Sequence, residues 1–133
     1  MAGTNVDGNV KVHFAIAAGA ATADFDGQLW IADGNYELID ATERHGTAGA
    51  AANIQVLKVP SGTAKASGTN MLSSAGFSAA GTANTNSTIT ATATQADARL
   101  TRGDAIGIEL SGASASLDAV SVTCRLRALA LNV

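Results

Sequence analysis

The sequence predicts an all-β fold, a sandwich or barrel of seven or eight short antiparallel strands. Three observations carry this expectation. Apolar residues recur with period two rather than 3.6 along most of the chain, which places successive side chains on opposite faces of a sheet. Gly, Asn, Asp and Ser punctuate the alternating runs at short intervals, as turns between strands require. There is no strand–helix–strand alternation and no repeat of roughly 20 to 50 residues, so a parallel α/β sheet and a solenoid are both disfavoured.

The first run, Val10 to Ala18, puts Val10, Val12, Phe14 and Ile16 on one face and Lys11, His13 and Ala15 on the other. Gln28 to Ala32 and Tyr36 to Thr42 are extended runs around Asp33-Gly34-Asn35, a bend in which Gly accepts positive φ. Asn53 to Val59 is a strand that stops before Pro60, because Pro lacks the N–H that a central ladder needs. Ser61 to Gly68 reads as a loop, and Asn70 to Ala75 as one helical turn carrying Met71 and Leu72. Ser87 to Thr94 alternates Thr88, Thr90, Thr92 and Thr94 against Ile89, Ala91 and Ala93, and β-branched Thr favours a strand here. Arg99 to Asp104 is a turn. It introduces Asp104 to Leu110, where Ile106, Ile108 and Leu110 share a face. The last strand, Ala119 to Leu129, sets Val120, Val122, Cys124 and Leu126 against Ser121, Thr123, Arg125 and Arg127.

Composition narrows the function. The 133 residues make one domain, and the hydrophobic fraction of 47% conceals 29 Ala, leaving 33 larger apolar side chains. Ala, Gly, Ser and Thr supply 67 residues, so the core is expected to be thin and to gain from neighbouring subunits. A single Cys excludes an internal disulfide framework and a Cys-based zinc site. No run of eighteen apolar residues predicts a transmembrane helix, and no charged-then-apolar leader pattern is visible at the N-terminus. A net charge of −3, with eight Lys and Arg spread along the chain, argues against a nucleic-acid footprint. With only 14% charged residues, the surface is expected to be neutral and polar, which suits a static assembly.

Candidate chemistry is sparse. His13 lies mid-strand and His45 follows a strand in Glu43-Arg44-His45-Gly46, with no spacing that builds a metal site. Cys124 alternates with Val122 and Leu126 and reads as a small buried hydrophobe. Asp24 and Asp26 flank Phe25 in a turn, and one Trp and one Tyr give a sugar little to stack on, so a glycosidase reading fails. The EF-hand pattern is absent, although weak calcium binding by turn aspartates stays open. Gly46-Thr47-Ala48-Gly49 and Gly81-Thr82-Ala83 are not followed by Lys and do not cradle phosphate. Arg125 and Arg127 share a strand face. They are either solvated edge charges or partners for acidic residues of a neighbouring chain. No catalytic residue, cofactor or metal ligand is assigned, and the chain is not expected to be an enzyme.

A resemblance adds to this. Gly46-Thr47-Ala48-Gly49, Gly68-Thr69-Asn70-Met71-Leu72 and Gly81-Thr82-Ala83-Asn84-Thr85 occur in order. Leu100-Thr101-Arg102-Gly103-Asp104-Ala105-Ile106-Gly107-Ile108, Gly112 and Val120-Ser121-Val122-Thr123 follow. Over residues 28–130 this order resembles a family of tailed-phage head decoration, or capsid cementing, proteins with a jelly-roll domain. The L-x-x-G-D element also resembles the strand start of trimeric jelly rolls of the tumour-necrosis-factor and complement-C1q type. Gly103 would allow the tight turn and Asp104 would bond nearby backbone.

The resemblance implies a jelly-roll β-sandwich of about eight antiparallel strands over residues 10–133, preceded by an N-terminal arm over residues 1–9. It implies a homotrimer on the outer capsid surface of a virion, made in the cytoplasm of the bacterial host and clamping major capsid subunits. The partners would be further copies of the chain and the major capsid protein, with neither nucleic acid nor membrane involved. Thr88, Thr90, Thr92, Ser121, Thr123 and Arg125 are the candidate trimer interface, and Ala2, Gly3, Thr4, Asn5 and Val6 the candidate capsid-binding arm. The alternative is a tail- or fibre-associated module that binds host-surface glycan through loops near Trp30 and Tyr36.

Overall fold

The computed structural model describes residues 2–4, 9–16, 28–112 and 116–129. Among them the chain is all-β, in two antiparallel sheets. Its strands are β1 (Ala2–Thr4), β2 (Asn9–Ile16), β3 (Leu29–Ile31), β4 (Tyr36–Arg44), β5 (Asn53–Val59), β6 (Thr69–Asn70), β7 (Phe77–Ser78), β8 (Ser87–Thr90), β9 (Arg99–Leu100), β10 (Ala105–Ser111) and β11 (Val120–Ala128). The first sheet runs β1-β2-β11-β4-β8, with β9 also on β4. The second runs β3-β10-β5-β6, with β7 also on β5. The β8/β9 and β6/β7 pairs are each one interrupted lane along a single neighbour.

Alternation packs the two sheets. Val120, Val122, Cys124 and Leu126 of β11 and Val12 and Phe14 of β2 are buried against Ile106, Ile108 and Leu110 of β10 and Ile54 and Val56 of β5. Met71, Leu72, Phe77, Leu100 and Leu117 complete a continuous cluster. Those side chains are large, so the core is fuller than the Ala count suggests. Fully burying one of them stabilises the fold by about 1.5–3 kcal/mol before chain entropy is charged against it.

One irregularity sets which residues face outward. On β4, Asp40 opposes Arg125 but Leu38 opposes Leu126, so Ile39 is the extra residue of a β-bulge. The bulge keeps Leu38 in the core and returns Glu37 to the outer face beside Arg127.

Four expectations need correction. Asn70–Ala75 is not helical: Asn70 closes β6, and its side-chain amide donates to the Leu72 and Ser74 carbonyls while accepting from the Leu72 amide. A short polar side chain has outcompeted the helical backbone bonds. The Thr-rich strand stops at Thr90 instead of Thr94, because the Ala91 amide turns to Ile39 and the Thr92 amide crosses to Met71. A single helical turn, α1 (Gln95–Ala98), follows. The expected turn at Arg99–Asp104 is shorter, since Arg99 and Leu100 pair with Glu37 and Tyr36 as β9. The fourth departure is a 3-10 turn at Lys65–Ser67 inside the expected loop. The remainder of the L-x-x-G-D element is a tight turn: Gly103 has φ +96°, and the Asp104 carboxylate accepts the Thr101 amide at 2.9 Å.

Candidate functional site

The outer face of the first sheet gathers the polar halves of its strands. Residues directly opposite each other across a ladder share a face. One row therefore reads His13, Thr123, Thr42, Thr88, and the next Lys11, Arg125, Asp40, Thr90. Below them Arg127 and Arg99 meet Glu37, and above them Ser121 meets Arg44. Five of the six residues expected at a trimer interface, Thr88, Thr90, Ser121, Thr123 and Arg125, thus lie on one surface. Thr92 does not join them. Its amide bonds the Met71 carbonyl, and its hydroxyl accepts from the Thr94 amide at 3.3 Å.

The rows are tied by cross-strand hydrogen bonds. Thr42 and Thr88 share a hydroxyl bond of 2.8 Å, and His13 Nδ1 lies 2.9 Å from the Thr123 hydroxyl. Arg125 donates to both Asp40 oxygens, from Nη2 at 2.6 Å and Nε at 3.3 Å. Lys11, Asp40, Thr42, Thr88, Thr123 and Arg125 line an open depression of about 380 Å³. Glu37 receives Arg99 at 2.8 Å and also Arg127. The Arg99 hydrogen bond, joined by Arg127, holds the Glu37 carboxyl below its ordinary value against the opposing effect of partial burial. Arg125 and Arg127 thus take carboxylates of their own chain, a third outcome beside the two open in the sequence.

The N-terminal candidates divide. Ala2, Gly3 and Thr4 form β1, pairing with Val12, Lys11 and Val10 at the edge of the same sheet. Asn5 and Val6 lie outside the described residues, as do Asp24 and Asp26.

Family models, curated proteins and solved structures yield no match to this chain.

A second constellation was not legible as a site. Glu43 and His45 are 1% and 3% exposed, and Glu43 Oε1 lies 2.7 Å from His45 Nδ1. Burial pushes the Glu43 carboxyl above its ordinary value, with the hydrogen bond from His45 pulling against it. His45 also anchors loops, its carbonyl accepting the Asn84 amide at 2.7 Å and Nε2 lying 3.4 Å from the Gly81 carbonyl. Next to it, Gly46 and Thr47 both donate to the Asp118 carbonyl. The signal that could have found this pair is parity: Ala41, Glu43 and His45 share one face, and Ala41 is fully buried.

Trp30 and Tyr36 pack edge to face, with centroids 5.3 Å apart, against the core. The Tyr36 hydroxyl donates to Asp33, which, ahead of burial, raises the phenol above its ordinary value. These rings are spent on each other rather than offered as a flat stacking surface. Cys124 is wholly buried, and burial pushes its thiol up to about 12. Among the described residues no three His, Cys, Asp or Glu side chains cluster closely enough to hold a metal, and no helix is long and apolar enough to cross a membrane.

Proposed function

We propose that this chain is a structural virion protein. In this reading it is a homotrimeric jelly roll that decorates the outside of a phage head and strengthens contacts between major capsid subunits. The observation that carries the reading is the strand order. Counting the interrupted lanes once and leaving β1 aside, the first sheet reads one-eight-three-six and the second two-seven-four-five. That interleaving supports a jelly roll, the architecture in which two Greek keys wrap around each other. It agrees with the fold implied by the L-x-x-G-D resemblance, whose turn has the expected Gly103 and Asp104 geometry.

The mechanism is mechanical. Each trimer bridges several capsid subunits, and three equivalent attachments raise avidity without strong single contacts. The outer face of the first sheet supplies the polar contact surface. The glycan-binding alternative gains nothing from the Trp30–Tyr36 pair, whose rings already pack together. Immunogold electron microscopy of virions from the phage that encodes the chain tests the reading. Label on heads is expected. Label confined to tails would overturn it in favour of the alternative.

A further inference from the structure

Cations are gathered on one side of this fold. Five of the eight Lys and Arg residues, Lys11, Arg44, Arg99, Arg125 and Arg127, stand on the outer face of the first sheet or in its edge lane. Among the described residues only Glu37 and Asp40 set carboxylates against them on that face, so it carries +3 in a chain whose net charge is −3. The five are far apart in sequence, and only the ladder brings them together.

Part of this charge is not spent inside the chain. Arg125 is held by Asp40, and Arg99 and Arg127 share Glu37. Lys11 and Arg44 are exposed and enter no ion pair among the described residues. The register sets them two strands and two rows apart. At ordinary strand spacing and rise that diagonal is about 17 Å. The row of Thr123, Thr42 and Thr88 runs between them and lines the open depression of about 380 Å³.

We propose that this face docks an acidic segment of a different protein, with Lys11 and Arg44 as its two charge anchors and the threonine row as the floor between them. An extended chain covers about 3.4 Å per residue, so carboxylates about five residues apart reach both anchors. Thr hydroxyls donate and accept, which suits the amides and carbonyls of such a segment. Nucleic acid fits less well. Phe14 and Tyr36, the aromatic residues of β2 and β4, pack into the core and leave no ring on this face to stack on a base. The net charge of −3 also repels a polyanion that extends beyond the face. A second copy presenting the same face sets +3 against +3, so the partner surface is a different one. The proposal goes beyond the virion reading and does not rest on it; within that reading the acidic partner is the major capsid subunit.

The test is fluorescence anisotropy of a labelled glutamate decamer titrated with the full chain at about 20 mM and about 300 mM salt, since salt screens contacts between exposed charges. Saturable binding is expected at low salt, with loss of affinity at high salt. Lys11→Gln and Arg44→Gln are each expected to weaken binding about threefold, and the two together about tenfold, the scale of exposed charge contacts. Arg102→Gln removes the same charge from the turn that leads to the second sheet and is expected to leave affinity unchanged. Circular dichroism melts confirm that each variant is folded. Absence of saturable binding by wild type overturns the proposal. Equal weakening by Arg102→Gln also overturns it, because the effect then belongs to net charge and not to this face. Tighter binding of a single-stranded DNA of equal charge overturns it in favour of a nucleic-acid surface.

Discussion

Glu43 and His45 form a buried pair, 2.7 Å apart, while Arg44 between them faces solvent. Removing one partner leaves the other without its hydrogen bond in a desolvated place, which typically costs about 1–3 kcal/mol. His45→Ala is therefore expected to lose about 2 kcal/mol or more in urea unfolding at neutral pH. Glu43→Leu combined with His45→Leu should recover part of that loss, because no stranded polar group remains. A His45→Ala variant within about 1 kcal/mol of wild type would show that the pair contributes little.

Glu37 and Glu43 should give pH dependences of opposite sign. The folded-state value of Glu43 is raised, so its contribution is greatest below the unfolded carboxylate value and is lost as pH rises through the folded one. Glu37 is lowered, so its contribution is present above the unfolded value and is lost as pH falls through the folded one. Melting temperatures of wild type minus Glu43→Gln should fall with rising pH just above the ordinary carboxylate range. Wild type minus Glu37→Gln should fall with decreasing pH below that range.

Arg125 holds Asp40 through two hydrogen bonds, yet its side chain is 38% exposed. Solvent screening limits such a pair. A double-mutant cycle with Arg125→Ala and Asp40→Ala is expected to return a coupling of about 1 kcal/mol or less, shrinking with added salt. A coupling that is several times larger and insensitive to salt would contradict the exposed geometry.

Gly103 and Gly112 both have positive φ, at +96° and +79°. A Cβ on Gly103 would meet nothing within 4 Å, whereas one on Gly112 would run into the Ala51 carbonyl. Gly103→Ala is expected to cost about 1–2 kcal/mol from backbone conformation alone. Gly112→Ala should cost clearly more, because backbone must also move. Chemical denaturation of the two variants side by side checks the ranking.

Cys124 pairs on one side with Val12 and on the other with Ala41 in the middle of the first sheet. With no exposure and its thiol pushed up to about 12, it should resist alkylation at pH 8. One equivalent of label is expected in denaturant. Labelling in native buffer should track global unfolding instead of local fraying.

The long strands were legible because alternation alone defines them. β2, β10 and β11 follow runs in which every second residue is apolar, β5 begins as one with Ile54 and Val56, and the sandwich follows from packing those faces together. The two-residue strands β6, β7 and β9 were not legible. Nothing local distinguishes Phe77-Ser78 or Arg99-Leu100 from loop, and they exist because β5 and β4 offer free ladder groups across long sequence separations. The polar interface candidates could be read from the same alternation, except at Thr92, where a long-range bond to Met71 ends the strand. The Glu43–His45 pair was missed because Glu-Arg-His-Gly has the composition of a solvated turn. Strand parity with Ala41 was the one local signal against that reading, and burial under the loops carrying Gly81, Asn84 and Asp118 agrees with it.

The bulge at Ile39 means that β4 carries one residue more than its register uses. Deleting Ile39 would leave the pairing partners on β11 in place and close the bulge, since Leu38 and Asp40 already oppose neighbouring residues of β11. Leu38 would still face the core, and Glu37 would still face Arg99 and Arg127. A single-codon deletion here should thus leave the wet and dry sides of the strand unchanged. The sheet's register does not count the extra residue, so the two ends of one strand agree on which side is wet.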